Sequence, residues 1–270
     1  MRGEGYRRQV GFTLLELLFA MTIFLVICGA IFGLLNLAQK NYGNETRMSG
    51  SFQEARLAID QIVRDFNQAG YPGQGMFSTL PPQSQYALGP VAWDPGYSTA
   101  PGAAVPCVIG TAGGGTCATP GDFDLIIETQ TDPLAGVNWI RYQLVNGTLY
   151  RSVTPKIAGA DPVAATSAAG VMVPFLNNVM NNASGAQISE IIATYPAMFP
   201  GGNPVPIFQY TCDNGAGTTP CPAAAGANSP YNIRDVDITL IVETPVRDTQ
   251  TLQLKLVELY GRGHRLNPTN

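Results

Sequence analysis

One run of 24 residues near the amino terminus constrains this chain more than any other feature. Residues 12–35 read FTLLELLFAMTIFLVICGAIFGLL, with one charged side chain, Glu16, and no proline. As an α helix rising about 1.5 Å per residue, the run would extend about 36 Å, which is more than the roughly 30 Å of a bilayer's hydrocarbon core. The run therefore predicts a transmembrane helix.

The charges that flank this run predict its orientation. Arg2, Arg7 and Arg8 precede it, whereas Lys40 and Arg47 follow it beside an acidic residue. The positive-inside rule then leaves the short amino end in the cytoplasm and sends the bulk of the chain outward. A cleaved secretory signal is the alternative, but the run is too long for one and ends without a small-x-small cleavage motif.

Composition narrows the possible functions of the exported part. Only 13% of the residues are charged. The 30 glycines and 21 prolines indicate a loop-rich extracytoplasmic chain. The single histidine, His264, lies in a predicted tail, which argues against histidine triads and histidine-rich metal sites. A net charge of -4 without clustered cations argues against nucleic-acid binding. We expect no catalytic residues, no cofactor and no metal.

An amphipathic helix is predicted to continue from the membrane run to a stop at Gly70, with Pro72 just beyond. Residues 36–69 contain no proline, and apolar residues recur in steps of three and four, with charged residues that include Asp65 between them. Four glycines form weak points where we expect that the helix can melt locally; they are Gly29, Gly33, Gly43 and Gly50. The apolar stripe comprises Leu37, Met48, Phe52, Ala55, Ile59, Ile62, Val63 and Phe66.

The remainder, 71–270, is predicted to form one head with a mainly antiparallel sheet, one face of which the helix covers, so the fold class is α+β. Asn146-Gly147 between two apolar runs predicts a β-hairpin turn. Stretches rich in Pro, Gly, Ala and Ser predict loops at 71–120, 155–170 and 211–230. Alternating apolar residues predict strands at 123–129, 138–144, 148–153, 206–210, 236–243 and 251–260.

Four cysteines lie in the exported part, and four allow three pairings. Closeness in the sequence favours Cys107 with Cys117 and Cys212 with Cys221, in a compartment that permits disulfides. A zinc site is the alternative, but the spacings are not those of zinc ribbons. Cys28, inside the membrane run, is interpreted as a small apolar filler.

Two pairs of carboxylates stand out on predicted strands, Asp122 with Asp124 and Asp235 with Asp237. They are interpreted as parts of a solvated sheet face, with calcium binding as the alternative. Asp213, followed by Asn-Gly, is interpreted as the start of a turn.

Gly11 and the following FTLLE, in a basic leader before an apolar run, resemble the class III signal of type IV pilins and type II secretion pseudopilins. The segment IVRDFNQAGYPG at 62–73 is similar to the helix exit of PilW-type minor pilins. PIFQYTCDNG at 206–215 and NIRDVDITL at 232–240 resemble strands of PilW and J-type pseudopilins. The resemblance implies a pilin-like fold, divided into a leader (1–11), a transmembrane helix (12–35), an amphipathic helix (36–70) and a β-rich head (71–270).

The resemblance also implies roles for residues. A prepilin peptidase would cleave after Gly11 and methylate the new amino group of Phe12. The acid at the fifth mature position is Glu16, and pairing it with the Phe12 amine of a neighbouring subunit would relieve two buried charges.

The function expected from this resemblance is that of a non-enzymatic minor pilin that helps to initiate or cap a type IV pilus. It would sit in the inner membrane before assembly and in the pilus afterwards. Its partners would be other minor and major pilins, the prepilin peptidase, the assembly platform and membrane lipid. The alternatives are a J-type minor pseudopilin of a type II secretion system and a membrane-anchored periplasmic adhesin or enzyme.

Overall fold

A helix of 54 residues, α1 (Leu14–Asn67), carries both halves of the predicted amino-terminal helix. The computed structural model describes residues 11, 13–94, 108–109, 116–168, 170–213, 217–221, 229–245, 247 and 254–266. The helix extends about 81 Å at 1.5 Å per residue. It continues without a break through the four glycines of its interior, and Gly70, with φ 80°, adopts the left-handed conformation that follows its end.

The head contains two four-stranded antiparallel sheets rather than the single sheet expected from the sequence. The first sheet has the order β3-β4-β5-β6, and the second has the order β10-β9-β7-β8. The strands are β1 (Val108–Ile109), β2 (Thr116–Cys117), β3 (Asp124–Thr129), β4 (Asn138–Val145), β5 (Thr148–Pro155), β6 (Val173–Leu176), β7 (Phe208–Asp213), β8 (Thr218–Pro220), β9 (Ile233–Glu243) and β10 (Leu256–His264). Two short helices, α2 (Pro162–Thr166) and α3 (Gly185–Ile191), lie in the connections.

The α+β class and the long helix with antiparallel sheets are confirmed, and five of the six predicted strands lie within three residues of the observed bounds. Asn146 and Gly147 form the predicted turn between β4 and β5, both with positive φ. The sixth strand is displaced. It runs from Leu256 to His264, so the prediction that His264 lies in a tail is wrong.

The predicted loop 71–120 is wrong in part, because its middle is buried. Val91, Ala92 and Trp93 are fully buried, and the backbone of this segment follows the edge of β3: the Ala92 N–H donates to the Ile126 carbonyl at 2.8 Å. The prolines that indicated a loop keep the segment irregular, but they do not keep it out of the core. The predicted loops at 155–170 and 211–230 similarly contain α2 and β8, while β6 and α3 were not predicted.

The buried residues of α1 lie in its last four turns, which pack against the head. Ala55, Ile62 and Phe66 are fully buried in a core that both sheets share with the helix. The last strand, β10, lies across this part of α1, where Gly261 faces Ile59 and Gly263 faces Phe66. Because glycine has no Cβ, strand and helix approach more closely than any other residue would allow.

We expect Gly263→Ala to destabilise the head. The added Cβ would lie 2.9 Å from Cδ1 of Phe66, and overpacking of this kind costs about 1–3 kcal/mol. Guanidinium unfolding of the full chain in detergent, followed through the fluorescence of the buried Trp93 and Trp139, measures the effect. Gly185→Ala is the control, since its Cβ would meet nothing within 4 Å; equal stability of the two variants would contradict the proposed close packing.

Candidate assembly site

The carboxylate of Glu16 caps the helix that contains it. Both the backbone N–H and the hydroxyl of Thr13 donate to Glu16 Oε2 at 3.1 Å, and the Glu16 N–H donates to Thr13 Oγ1 at 3.3 Å. This reciprocal arrangement is a capping box, which satisfies N–H groups that have no partner within the helix. A carboxylate in the first turn is also stabilised by the helix dipole. The spacing Thr-x-x-Glu at 13–16 is the sequence signal for this cap, which was not among the predictions.

The helix around Glu16 exposes its apolar side chains along its whole first half. Leu14 is 79% exposed and Phe32 is 73% exposed, and α1 is long and apolar enough to cross a membrane. Exposure on this scale is unfavourable in water, so this half of α1 requires lipid or other helices around it. Gly11, the residue before the predicted cleavage site, is exposed, whereas Phe12 lies outside the described residues.

The family model of the prokaryotic N-terminal methylation motif matches residues 6–32. No curated protein and no solved structure shows a significant match to the chain. The motif supports a type IV pilin-like or pseudopilin protein and indicates a structural subunit rather than an enzyme. Its signal implies processing by a prepilin peptidase and assembly with pilin-type partners, and together with the apolar helix it supports membrane anchoring and association with a pilus.

Asp65 attaches the far end of α1 to the first sheet. The Tyr142 hydroxyl donates to Asp65 Oδ2 at 2.6 Å, and Nη2 of Arg151 donates to the same oxygen at 2.8 Å. Asp65 is therefore buried, and its assignment to the polar face of the helix is wrong. Burial, followed by the charge of Asp65, raises the pKa of Tyr142, so this hydroxyl stays protonated and remains a donor.

The carboxylates Asp235 and Asp237 face the basic side chains of β10. Asp235 is buried, and it accepts from Arg262 at 2.9 Å and contacts Nδ1 of His264. Burial raises the pKa of Asp235, but the hydrogen bonds from His264 and Arg262 outweigh that effect and lower it. The solvated-face interpretation is thus wrong for Asp235, which joins β9 to β10.

The same correction applies to Asp124, which is paired with the buried Arg141 through Oδ2 at 2.5 Å, while Asp122 is exposed. Burial raises the pKa of Asp124, and the hydrogen bond from Arg141 opposes this shift. Among the residues that the structure describes, no group of three or more His, Cys, Asp or Glu side chains is arranged to hold a metal ion. Asp213, the expected start of a turn, ends β7 and pairs with Arg234 at 2.7 Å.

The ion pair between Lys156 and Glu128 is completely buried. Lys156 Nζ lies 3.0 Å from Glu128 Oε2, and both side chains are 0% exposed. Glu128 also accepts from the indole N–H of Trp139 at 3.1 Å and from the Leu88 N–H at 2.7 Å. Burial lowers the pKa of Lys156, and the charge of Glu128 opposes this effect. This network fixes the buried segment 86–93 to both β3 and the end of β5.

The expected disulfide between Cys212 and Cys221 is present and joins β7 to the end of the β8 hairpin. Cys117 is buried and disulfide-bonded. Its expected partner, Cys107, lies outside the described residues, so that pairing stays a prediction. Cys28 is a free cysteine on the membrane helix.

We expect Asp65→Asn to loosen the attachment of the head to α1. The substitution removes the negative charge that accepts hydrogen bonds from Arg151 and Tyr142. We expect the free energy of unfolding to fall by about 2 kcal/mol. The free energy of unfolding in guanidinium gives the measurement. Asp60→Asn, at an exposed position on the same helix, is the matched control, and an equal loss in both variants would show that the effect reflects helix charge alone.

Proposed function

We propose that the chain is a minor pilin of a type IV pilus, a PilW-type subunit that helps to initiate or cap the filament. The observation that carries the proposal is Glu16, the one charged residue of the run 12–35 that follows Gly11, within the matched methylation motif. The amino terminus would lie in the cytoplasm and the head in the periplasm before assembly, as the flanking arginines favour.

Processing would place a new positive charge beside Glu16. Cleavage after Gly11 makes Phe12 the first residue, and methylation keeps its amino group basic. A carboxylate and an ammonium that each enter lipid alone are costly, and pairing them removes both costs. In the assembled filament Glu16 therefore pairs with the Phe12 amine of an adjacent subunit, which sets the axial position of one subunit against the next.

The presence of a glutamate at position 16 bears on the position of the subunit within the filament. A subunit at the extreme tip has no neighbour above it whose amine needs a partner. A carboxylate at this position therefore favours a place below at least one other minor subunit, within the initiating complex. The exposed residues Leu37 and Phe52 continue the apolar stripe of α1 beyond the membrane segment and are suited to contact neighbouring helices.

We expect mass spectrometry of the membrane-extracted protein to find an amino-terminal peptide that begins at N-methylated Phe12. Deleting the prepilin peptidase should leave the leader of residues 1–11 attached. A mature protein that begins at another residue, or one released without the membrane helix, would contradict the proposal.

We expect Glu16→Ala to insert into the membrane normally but to enter filaments poorly. Glu16→Gln separates the two roles of the side chain, because glutamine preserves a capping box but cannot pair with an ammonium as a charge. Both variants should lower incorporation by about tenfold, corresponding to the loss of one charge-assisted interaction. The amount of the subunit in sheared pili, by immunoblot, gives the readout.

Glu45→Ala is the control for this experiment, since Glu45 is an exposed glutamate on the same helix beyond the membrane segment. Normal incorporation of Glu16→Gln would show that the cap, and not the charge, is what assembly needs. Purifying the tagged subunit with its partners distinguishes the alternative function: recovery of type II secretion pseudopilins would identify a J-type subunit instead.

A further inference from the structure

A polar cleft opens where the two sheets of the head meet. It lies between the β4–β5 turn and the connection from β6 to α3, with Glu243 at the end of β9 completing it. Its volume is about 620 Å³, within the range of pockets that bind small molecules. None of the residues that line it belongs to α1, so it is separate from the assembly site.

Backbone hydrogen bonds hold the walls of the cleft in place. The Val179 N–H donates to the Gly147 carbonyl at 2.8 Å, and the Glu243 N–H donates to the Asn178 carbonyl at 2.9 Å. Beneath them the fully buried Asn181 bridges neighbouring chain segments: its amide donates to the Thr239 carbonyl at 2.8 Å, and its Oδ1 accepts from the Ile241 N–H at 2.8 Å. The cleft is thus formed before any ligand enters, which lowers the entropic cost of binding.

Four polar side chains that line the cleft have unused hydrogen-bonding capacity. Within the described part of the chain, the side chains of Asn146, Asn178, Asn182 and Glu243 make no hydrogen bond. Asn178, Asn182 and Glu243 are half-buried. Burial raises the pKa of Glu243, and the charge of Arg247 opposes this shift. Because these groups have no protein partner, hydroxyl groups of a ligand can pair with them without breaking a hydrogen bond within the protein.

The lining selects against most classes of ligand. Among the described residues that line the cleft there is no lysine, arginine or histidine, which disfavours anions. A single carboxylate is a poor site for calcium, which prefers several anionic oxygens. Amide groups donate and accept side by side, as neighbouring sugar hydroxyls also do. Val179, Met180 and Ala183 supply an apolar floor suited to the C–H face of a sugar ring.

We propose that this cleft, which we term the amide cleft, binds a neutral saccharide. Asn178 and Asn182 exchange hydrogen bonds with its hydroxyls, and Glu243 accepts from a pair of them. The property goes beyond the minor-pilin function and does not depend on it. It would give the filament contact with a hydroxyl-rich surface or polymer.

The test uses the full chain in detergent micelles and saturation-transfer difference NMR with chitobiose, lactose, maltose and mannobiose as probes. Asn178→Gly removes one amide while tolerating the φ of 59° at this position, and Glu243→Gln removes the charge but preserves size. Each should weaken binding by about tenfold, as expected for loss of hydrogen bonds to a desolvated ligand. Gln85→Ala, an amide that lines a different cleft, is the matched control and should bind normally.

Binding of one or more probes that both cleft variants weaken and the control preserves would support the proposal. Absence of binding for all four probes, or binding that neither variant changes, would overturn it. Melting temperatures equal to that of the wild type show that the variants are folded, and Glu243→Gln keeps the test decisive if Asn178→Gly unfolds. Retention on insoluble chitin, compared with binding of free chitobiose, distinguishes a polysaccharide chain from a soluble sugar as the ligand; either result agrees with the proposal.

Discussion

The packing of the last four turns of α1 against two sheets determines what the rest of the molecule can do. Ala55, Ile62 and Phe66 enter the core with no exposed surface, while apolar side chains of the first half of the helix, such as Leu14 and Phe32, are largely exposed. One helix thus serves two environments. The close approach at Gly261 and Gly263 and the ion pair of Asp65 fix the helix on the head. A force on the first half of α1, or a shift in its axial position, is therefore transmitted to the head.

Buried charges supply much of the specificity of this attachment. A chain with only 13% charged residues still places three ion pairs inside the head, Asp65–Arg151, Asp124–Arg141 and Glu128–Lys156. Buried pairs add little net stability, because desolvation offsets their attraction, but removing one partner is costly. Asp65–Arg151 joins α1 to β5, Asp124–Arg141 joins β3 to β4, and Glu128–Lys156 joins β3 to the residue that follows β5. They thus favour one arrangement of α1, the first sheet and the segment 86–93 over alternatives that an apolar core of small residues would tolerate.

Local pattern predicted most of the helix and strands, because periodicity and turn residues act over a few positions. The Asn146-Gly147 turn and the alternation in β3, β4 and β5 needed no tertiary information. What failed depended on partners far along the chain. Asp65 lies three residues after Ile62, on the buried face of the helix, and only its charge indicated a solvent-facing residue; Arg151 and Tyr142 are its partners there. His264 was predicted to lie in a tail, but it ends β10, where its backbone N–H donates to Asn67 and its ring contacts Asp235. The capping box of Thr13 and Glu16 is a different case: its signal was local and complete.

That capping box also bears on how an acidic residue survives in an apolar helix before assembly. A carboxylate without a partner would oppose insertion, at a cost of roughly 2.5–3.5 kcal/mol at the centre of a membrane helix. Glu16 instead accepts from the backbone and hydroxyl of Thr13, so part of its desolvation is already compensated in the single subunit. Assembly then adds a second partner to a carboxylate that already has one. Because a carboxylate has two oxygens and about four lone-pair sites, it can accept an ammonium while it still caps the helix. A neighbouring amine would therefore leave the cap in place. The free energy gained on assembly then comes from the attraction between the carboxylate and the ammonium alone.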